Sequence, residues 1–459
     1  MKKNIHIALT AILLALTSCG EDRTGEFYAL IEDRMWIEET MRANYLWADE
    51  MPVIEDEDDY FQEPATFFKN LLYKQALGGK GDKYSYMEET ANDEETSRSK
   101  MLDRTATYGM EFELTNDPTG TTNHTFARVL YVLSGSPAEQ VGIKRGDWIQ
   151  AINGERITTS NYSLLKNGPS IEMVRSTLTP SDNGYAWNTP DTLNVSSAIS
   201  MEINPFFLDT LYEVNGQRIA YMVYNEFSTG PANKGTETTY DDQMKQIFAN
   251  FKAQQPNAFI LDLRYNNGGY LNCAQTLGSL LAPSSALGKD FINLQFNANA
   301  NPQQKKYPLS SQYADANLNL ERIYILTTSH TASASEAIIN GLIPYMGAEN
   351  VIIIGEKTEG KNVAMSAFSN DTYGFTLWPV VAYVTNSEGF GDYNEGFKPT
   401  YELVERKVAS WLPLGDTQEY LLNHAIELIT TGAMPAVDTH TQTVKVTGTS
   451  IQPKGILIH

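Results

Sequence analysis

The chain reads as an α+β multidomain protein with a helical N-terminal region, a small β domain and a layered α/β core. Three observations predict this. Apolar residues recur at helical spacing through residues 27–100, and residues 101–198 show β-branched and aromatic alternation broken by Gly and Pro turns. From 199 to 430, short apolar runs alternate with helical stretches, the pattern of strands and helices stacked in layers.

Residues 1–18 have the form of a secretory signal. Lys2 and Lys3 precede an apolar run, Ile5 to Leu16, that is too short to span a bilayer comfortably. Leu16-Thr17-Ser18-Cys19 resembles the bacterial lipobox, which implies cleavage before Cys19, acylation of its thiol and a lipid membrane as partner. Gly20 rather than Asp follows the cysteine, so the expected place is the cell envelope, anchored in the outer membrane and facing the periplasm or the cell surface. Residues 19–26 then form a polar tether. In the helical region 27–100, Trp36, Met41, Tyr45 and Leu46 share one face, as do Phe67, Phe68, Leu71 and Leu72. The acidic run Glu55 to Asp59 lacks the Gly and the distal Glu of a calcium loop and reads as solvated.

A formal charge of −22 argues against nucleic-acid binding, which needs clustered Lys and Arg. Cys19 and Cys273 are the only cysteines, so neither a disulfide framework nor a cysteine-built zinc site is expected. No metal and no cofactor is implied.

In the β domain, Ser136-Pro137-Ala138 starts a short helix that Gly142 can end; Ile143 to Ile149 and Ala151-Ile152-Asn153-Gly154-Glu155 follow, with Asn153-Gly154 a hairpin signal between two strands. Together with Asn167-Gly168-Pro169-Ser170 before Ile171 to Val174, this string resembles a PDZ domain. The resemblance places a peptide-binding loop at Gly109, Met110 and Phe112, followed by a strand that accepts a peptide by β-augmentation. Glu111 stands where relatives often have Gly.

In the core, Phe259–Leu263, Ile323–Thr327 and Val351–Ile354 are apolar runs of the kind buried in parallel sheets. Each ends in an unusual loop: Arg264-Tyr265-Asn266-Asn267-Gly268-Gly269, then His330-Thr331-Ala332-Ser333-Ala334-Ser335-Glu336, then Gly355 to Lys361. Sites form at the carboxyl ends of such strands, so the three loops would share one edge. Taken singly they are a turn, an S-x-x-E capping box and a surface lysine. Taken together they supply a nucleophile, a base and backbone donors, at a helix start that favours developing negative charge. That combination points to a hydrolase.

The ordered set Leu261 to Gly269, Thr331 to Glu336 and Gly355 to Lys361, with the upstream PDZ-like string, resembles the carboxyl-terminal processing (tail-specific) protease family of serine peptidases. Arg218-Ile219-Ala220-Tyr221 and Glu395-Gly396-Phe397-Lys398-Pro399 agree, as do Tyr45-Leu46-Trp47 and Asp82-Lys83-Tyr84-Ser85 upstream. The resemblance implies a core shared with crotonases and caseinolytic (Clp) proteases. It also implies a Ser-Lys dyad of Ser333 and Lys361, and an oxyanion hole from Ala334 with Gly268 or Gly269. Glu336 and Thr358 would support the site, and the substrates would be extended or partly unfolded envelope proteins, cut internally near their C-termini. Some relatives carry a Gln four residues after the lysine; here Met365 stands there. The rival readings are a non-catalytic PDZ scaffold and a crotonase-like acyl-thioester enzyme. Residues 431–459 read as a polar tail with strands near Thr443–Val446 and Ile456–Ile458 and no assigned role.

Overall fold

A computed structural model of the chain describes residues 24–89, 106–181, 184–232, 235–408, 410–436, 445–451 and 456–458. The signal and the lipidation motif, Cys19 included, lie outside the described residues.

The core is a six-stranded sheet in the order Phe206–Val214, Gln217–Tyr224, Ala258–Asp262, Ile323–Thr327, Val351–Gly355 and Tyr401–Glu402. The first two strands form an antiparallel hairpin; every later neighbour is parallel. Side chains alternate across this sheet as strand geometry requires. Phe259 and Leu261 face a layer holding the helices Thr239–Gln254, Leu271–Leu281 and Ala334–Met346. Ala258 and Ile260 face Leu421, Leu422 and Ala425 of the helix Tyr420–Thr431. Covering both faces is why these strands read as continuous apolar runs.

A second six-stranded sheet runs Gly269–Tyr270, Ile456–Leu457, Val363–Met365, Val380–Asn386, Asp290–Phe296 and Gln304–Pro308. The helices Thr24–Asn44 and Pro64–Leu71 pack Ile37, Met41, Phe67, Phe68 and Leu71 against it, meeting Val363, Met365 and Val380. The helical reading of residues 27–100 needs one correction. Tyr86–Glu89 is a strand, antiparallel to Phe375–Trp378, because that strand's open edge offers a backbone ladder that local helical spacing cannot compete with.

The PDZ-like sheet runs from Asp191–Val195 through Ile171–Ser176, Trp148–Ile152 and Thr125–Val132 to Met110–Asn116. Asn153 and Gly154 both take positive φ, 49° and 80°, as the tight hairpin demands. Two arginines dock this domain on the core. The guanidinium of Arg145 pairs with Glu405 at 2.8 Å and Glu419 at 3.3 Å, beside Arg264, which binds both carboxylates and Asp262. Arg128 is wholly buried, 3.4 Å from the ring centre of Trp411 and 4.7 Å from that of Trp148. Buried charges on this scale persist only where each has partners, and here every carboxylate has an arginine.

Candidate active site

The three loops do share the carboxyl edge of the sheet, and they are tied to one another. Leu263 accepts from the Thr331 hydroxyl (2.8 Å), and Asn266 O accepts from the Ala332 amide (3.1 Å) and the Ser335 hydroxyl (3.0 Å). Glu359 N–H donates to Thr331 O at 3.0 Å. This lacing is how Thr331, Ser335 and Glu336 stay buried: each finds a partner on a neighbouring loop.

Ser333 precedes the helix Ala334–Met346 with φ 64° and ψ −112°. A side chain in that region is strained by about 1–3 kcal/mol, and such residues persist only where surroundings hold them. Two neighbours do so here. A Cβ on Gly268, itself at φ 109°, would fall 2.6 Å from Ser333 Cβ, so only glycine lets this loop lie against the serine. Glu336 Oε2 accepts the Ser333 amide at 2.8 Å. The capping box is thus present in outline, but Ser333 Oγ is buried and makes no hydrogen bond of normal geometry.

The same Glu336 fixes the third loop. Its Oε2 also accepts the Lys361 amide (2.8 Å), and its Oε1 accepts the Gly360 amide (2.7 Å) and the Thr358 hydroxyl (2.6 Å). Burial pushes this carboxyl up to about 7, against four hydrogen bonds that favour its ionised form. One buried carboxylate therefore sets the positions of both Ser333 and Lys361.

Lys361 is 1% exposed. Its Nζ lies 3.4 Å from Met365 Sδ and 4.3 Å from the centre of the Tyr84 ring. Burial lowers the ammonium to about 7, and the more distant charges of Asp82 and Glu359 only partly oppose this. Both carboxylates are engaged elsewhere: Glu359 with Lys83 at 2.8 Å, Asp82 with the Tyr45 and Ser85 hydroxyls. The apolar wall and the neutral sulfur leave the lysine close to balance between its two forms at neutral pH.

The remaining predicted residues fall as follows. Ala334 is the first helical residue, where amides lack intrahelical acceptors. The Gly268 amide donates to Asn266 Oδ1 at 2.9 Å, and Gly269 pairs in a strand with Ile456. In the PDZ-like domain Gly109 takes φ 80°, while Met110 and Phe112 are buried in the domain core at 4% and 0% exposure, with Tyr162 set edge-on to Phe112. Glu111 reaches Ser450. His330 lies 3.5 Å from Glu113 of the PDZ-like sheet. Tyr84, Asn266 and Met365 were not singled out as site residues. Asp82-Lys83-Tyr84-Ser85 carries the only sequence signal for Tyr84: Asp82 Oδ1 accepts the Tyr84 and Ser85 amides, a turn that seats the tyrosine over Lys361. Among the described residues, no group of three or more His, Cys, Asp and Glu side chains is placed to hold a metal ion.

Sequence-family models for "Peptidase family S41", "Peptidase S41 N-terminal domain" and "PDZ domain" match residues 218–403, 34–86 and 128–167. A solved structure of a candidate S41 protease from Bacteroides fragilis NCTC 9343 aligns with 32% identity and a TM-score of 0.73, covering 87% of this chain and 97% of that one. The chain belongs to peptidase family S41. Among curated relatives, a "Carboxyl-terminal-processing protease" of Picosynechococcus sp. is 28% identical over 305 residues, 66% of each chain. The "Carboxy-terminal processing protease CtpA" of Bacillus subtilis (strain 168) is 26% identical over 271 residues, 58% of this chain and 51% of the relative. The matched stretch thus spans about half to two thirds of the curated relatives' length. The family assignment gives the chain a serine-peptidase core with an attached PDZ domain.

Proposed function

We propose that this chain is an endopeptidase in which Ser333 is the nucleophile and Lys361 the general base. The observation that carries the reading is the shared carboxylate: Glu336 accepts the amides of both residues, next to a lysine lowered to about 7. A base working near neutrality needs such a value, whereas an exposed lysine titrates near ~10.4. Neutral Lys361 would take the Ser333 proton as Oγ attacks the scissile carbonyl. The carbonyl oxygen would then draw on the Ala334 amide at the positive end of its helix. Collapse expels the amine, which takes the proton back from Lys361, and water hydrolyses the resulting ester in the same way. Of the two glycines, Gly268 lies nearer the serine, and its amide would have to leave Asn266 Oδ1 to serve as second donor.

The Ser333 hydroxyl and the Lys361 ammonium do not meet in this structure; Nζ turns to Met365 instead. Catalytic hydrogen bonds often tighten only once substrate is bound. Purified Ser333→Ala and Lys361→Ala should each lose most hydrolysis of an unfolded protein substrate, with the double variant little worse than either. Full activity in Lys361→Ala would overturn the dyad.

The expected substrates are extended or partly unfolded envelope proteins, with the PDZ edge at Gly109, Met110 and Phe112 capturing a peptide as an added strand. This rests on the lipobox-like Leu16 to Cys19, which would anchor the chain through its acylated cysteine. Cys19→Ser should leave the membrane fraction or accumulate uncleaved; a membrane-bound, normally processed variant would refute the anchor.

A further inference from the structure

The segments that follow the core return to both places where a peptide would bind. Val446–Thr449 adds an antiparallel strand to the edge strand Met110–Asn116 of the PDZ-like sheet, pairing Val446 with Thr115, Gly448 with Leu114 and Thr449 with Glu113. The Ser450 amide donates to Phe112 O at 2.8 Å and its hydroxyl accepts the Phe112 amide at 2.7 Å, while the same hydroxyl reaches Glu111. Ile451 is buried in the seam between the PDZ-like domain and the core, among Leu130, Tyr131 and Tyr265. Ile456–Leu457 then lies as a strand between the other two loops of the site. Ile456 and Leu457 pair in parallel with Gly269 and Tyr270 on one side and with Ala364 and Met365 on the other. Ile458 N–H donates to Met365 O at 3.1 Å, and Ile456 is fully buried.

The chemistry of this placement is that of a ligand. The first segment binds by β-augmentation, through main-chain bonds that any extended peptide could make. The second bridges the glycine loop that abuts Ser333 and the strand that begins two residues after Lys361. In this arrangement Ser333 and Lys361 are 0% and 1% exposed. We propose that Val446–Thr449 and Ile456–Leu457 form a tethered, self-directed ligand that fills the PDZ edge and the slot beside Ser333, and that an extended, apolar peptide strand must displace them to be cut. The inference rests on the protease reading for its consequence, but the two seats are binding sites in their own right.

A tethered segment acts at an effective concentration of about 1 mM, so one that binds its seats with a dissociation constant of ~0.1 mM would leave the site open about a tenth of the time. Ile456→Asp, made in the full chain, buries a charge in the slot and should vacate it. Its kcat/KM for an internally quenched peptide should rise about tenfold, carried mainly by KM, and a chain ending after residue 436 should do the same. A synthetic peptide of residues 445–458 should inhibit both variants competitively and the unaltered chain far less. Binding of the same labelled peptide, followed by anisotropy on Ser333→Ala combined with Ile456→Asp, needs no catalysis. Saturable binding there, weak or absent with Ser333→Ala alone, supports the seats even if no variant hydrolyses anything. Equal kcat/KM in all three chains, or no difference in peptide binding between occupied and vacated forms, would overturn the proposal while leaving the Ser-Lys assignment to its own test.

Discussion

Met365→Glu would put a carboxylate where a thioether sulfur now faces Lys361 Nζ at 3.4 Å. The two side chains are similar in length, so the change is mainly one of charge. Lys361 sits at about 7 because burial is opposed only by distant carboxylates that have partners of their own. A carboxylate within about 4–6 Å favours the charged form by roughly 1–3 pKa units. Taking 2 units, the neutral lysine fraction at pH 7 falls from about one half to about 1%, so kcat/KM at pH 7 should fall ~50-fold. The loss should fade as pH rises through about 9. Met365→Gln, polar but uncharged, should keep the acid limb within about a unit of the parent's. The assay is kcat/KM for a quenched peptide from pH 5.5 to 10, with melting curves on each variant to show that the fold persists. In the parent the acid limb reflects both Lys361 and Glu336, each near 7, so its midpoint alone assigns neither. The shift does. If Met365→Glu keeps the parental limb, or loses activity equally at every pH while melting normally, Lys361 is not the base.

The lysine should also be visible in stability. Its folded value of about 7 lies below the ordinary 10.5, so the unfolded chain holds the extra proton between those values and stability rises with pH across that window. The cost is fully present below about pH 7 and gone above about 10.5, amounting to roughly 5 kcal/mol at the acid end. Lys361→Met should therefore raise the melting temperature at pH 6–7 and flatten its dependence on pH; if the unfolding free energy from denaturant titrations changes by the same amount between pH 7 and pH 10 in the variant as in the parent, this is refuted. Gly268→Ala should cut kcat by ~10²-fold or more and also lower the melting temperature, because the residue sits at φ 109° and its new Cβ would meet Ser333 Cβ at 2.6 Å and must push the serine off its position. Wild-type kcat in that variant would show that the close approach is not needed.

Much of the site was legible in the chain itself. Buried parallel strands must be apolar on both faces, so Phe259–Leu263, Ile323–Thr327 and Val351–Ile354 could be found by composition, and the loops after them had to share an edge. Ser333 with Glu336 three residues on is a local signal, since a capping box is made within one turn of helix. What local pattern could not give was the partner across the fold. That Glu336 also holds Lys361, 25 residues on, follows from two parallel strands being neighbours. That Tyr84 covers the same lysine depends on how the N-terminal helices pack on the second sheet. A lysine in a sequence reads as solvated until its neighbours are known, because desolvation is a property of the whole enclosure rather than of the residue or its flanks.

The tail shows the same division most plainly. Sequence alone determined a PDZ-like domain, an α/β core and three site-bearing loops, because periodicity and turn chemistry act over a few residues. It marked Ile456–Ile458 as strand-forming but gave it no place, and of the other expected tail strand, Thr443–Val446, the first two residues lie outside the described residues, the described strand being Val446–Thr449. A short extended segment can join any open edge, and pairing energy depends on which edge is free and within reach. Tertiary structure alone decided that the tail joins the strands beside Phe112 and beside Met365, and so gave an unassigned tail its place in the fold.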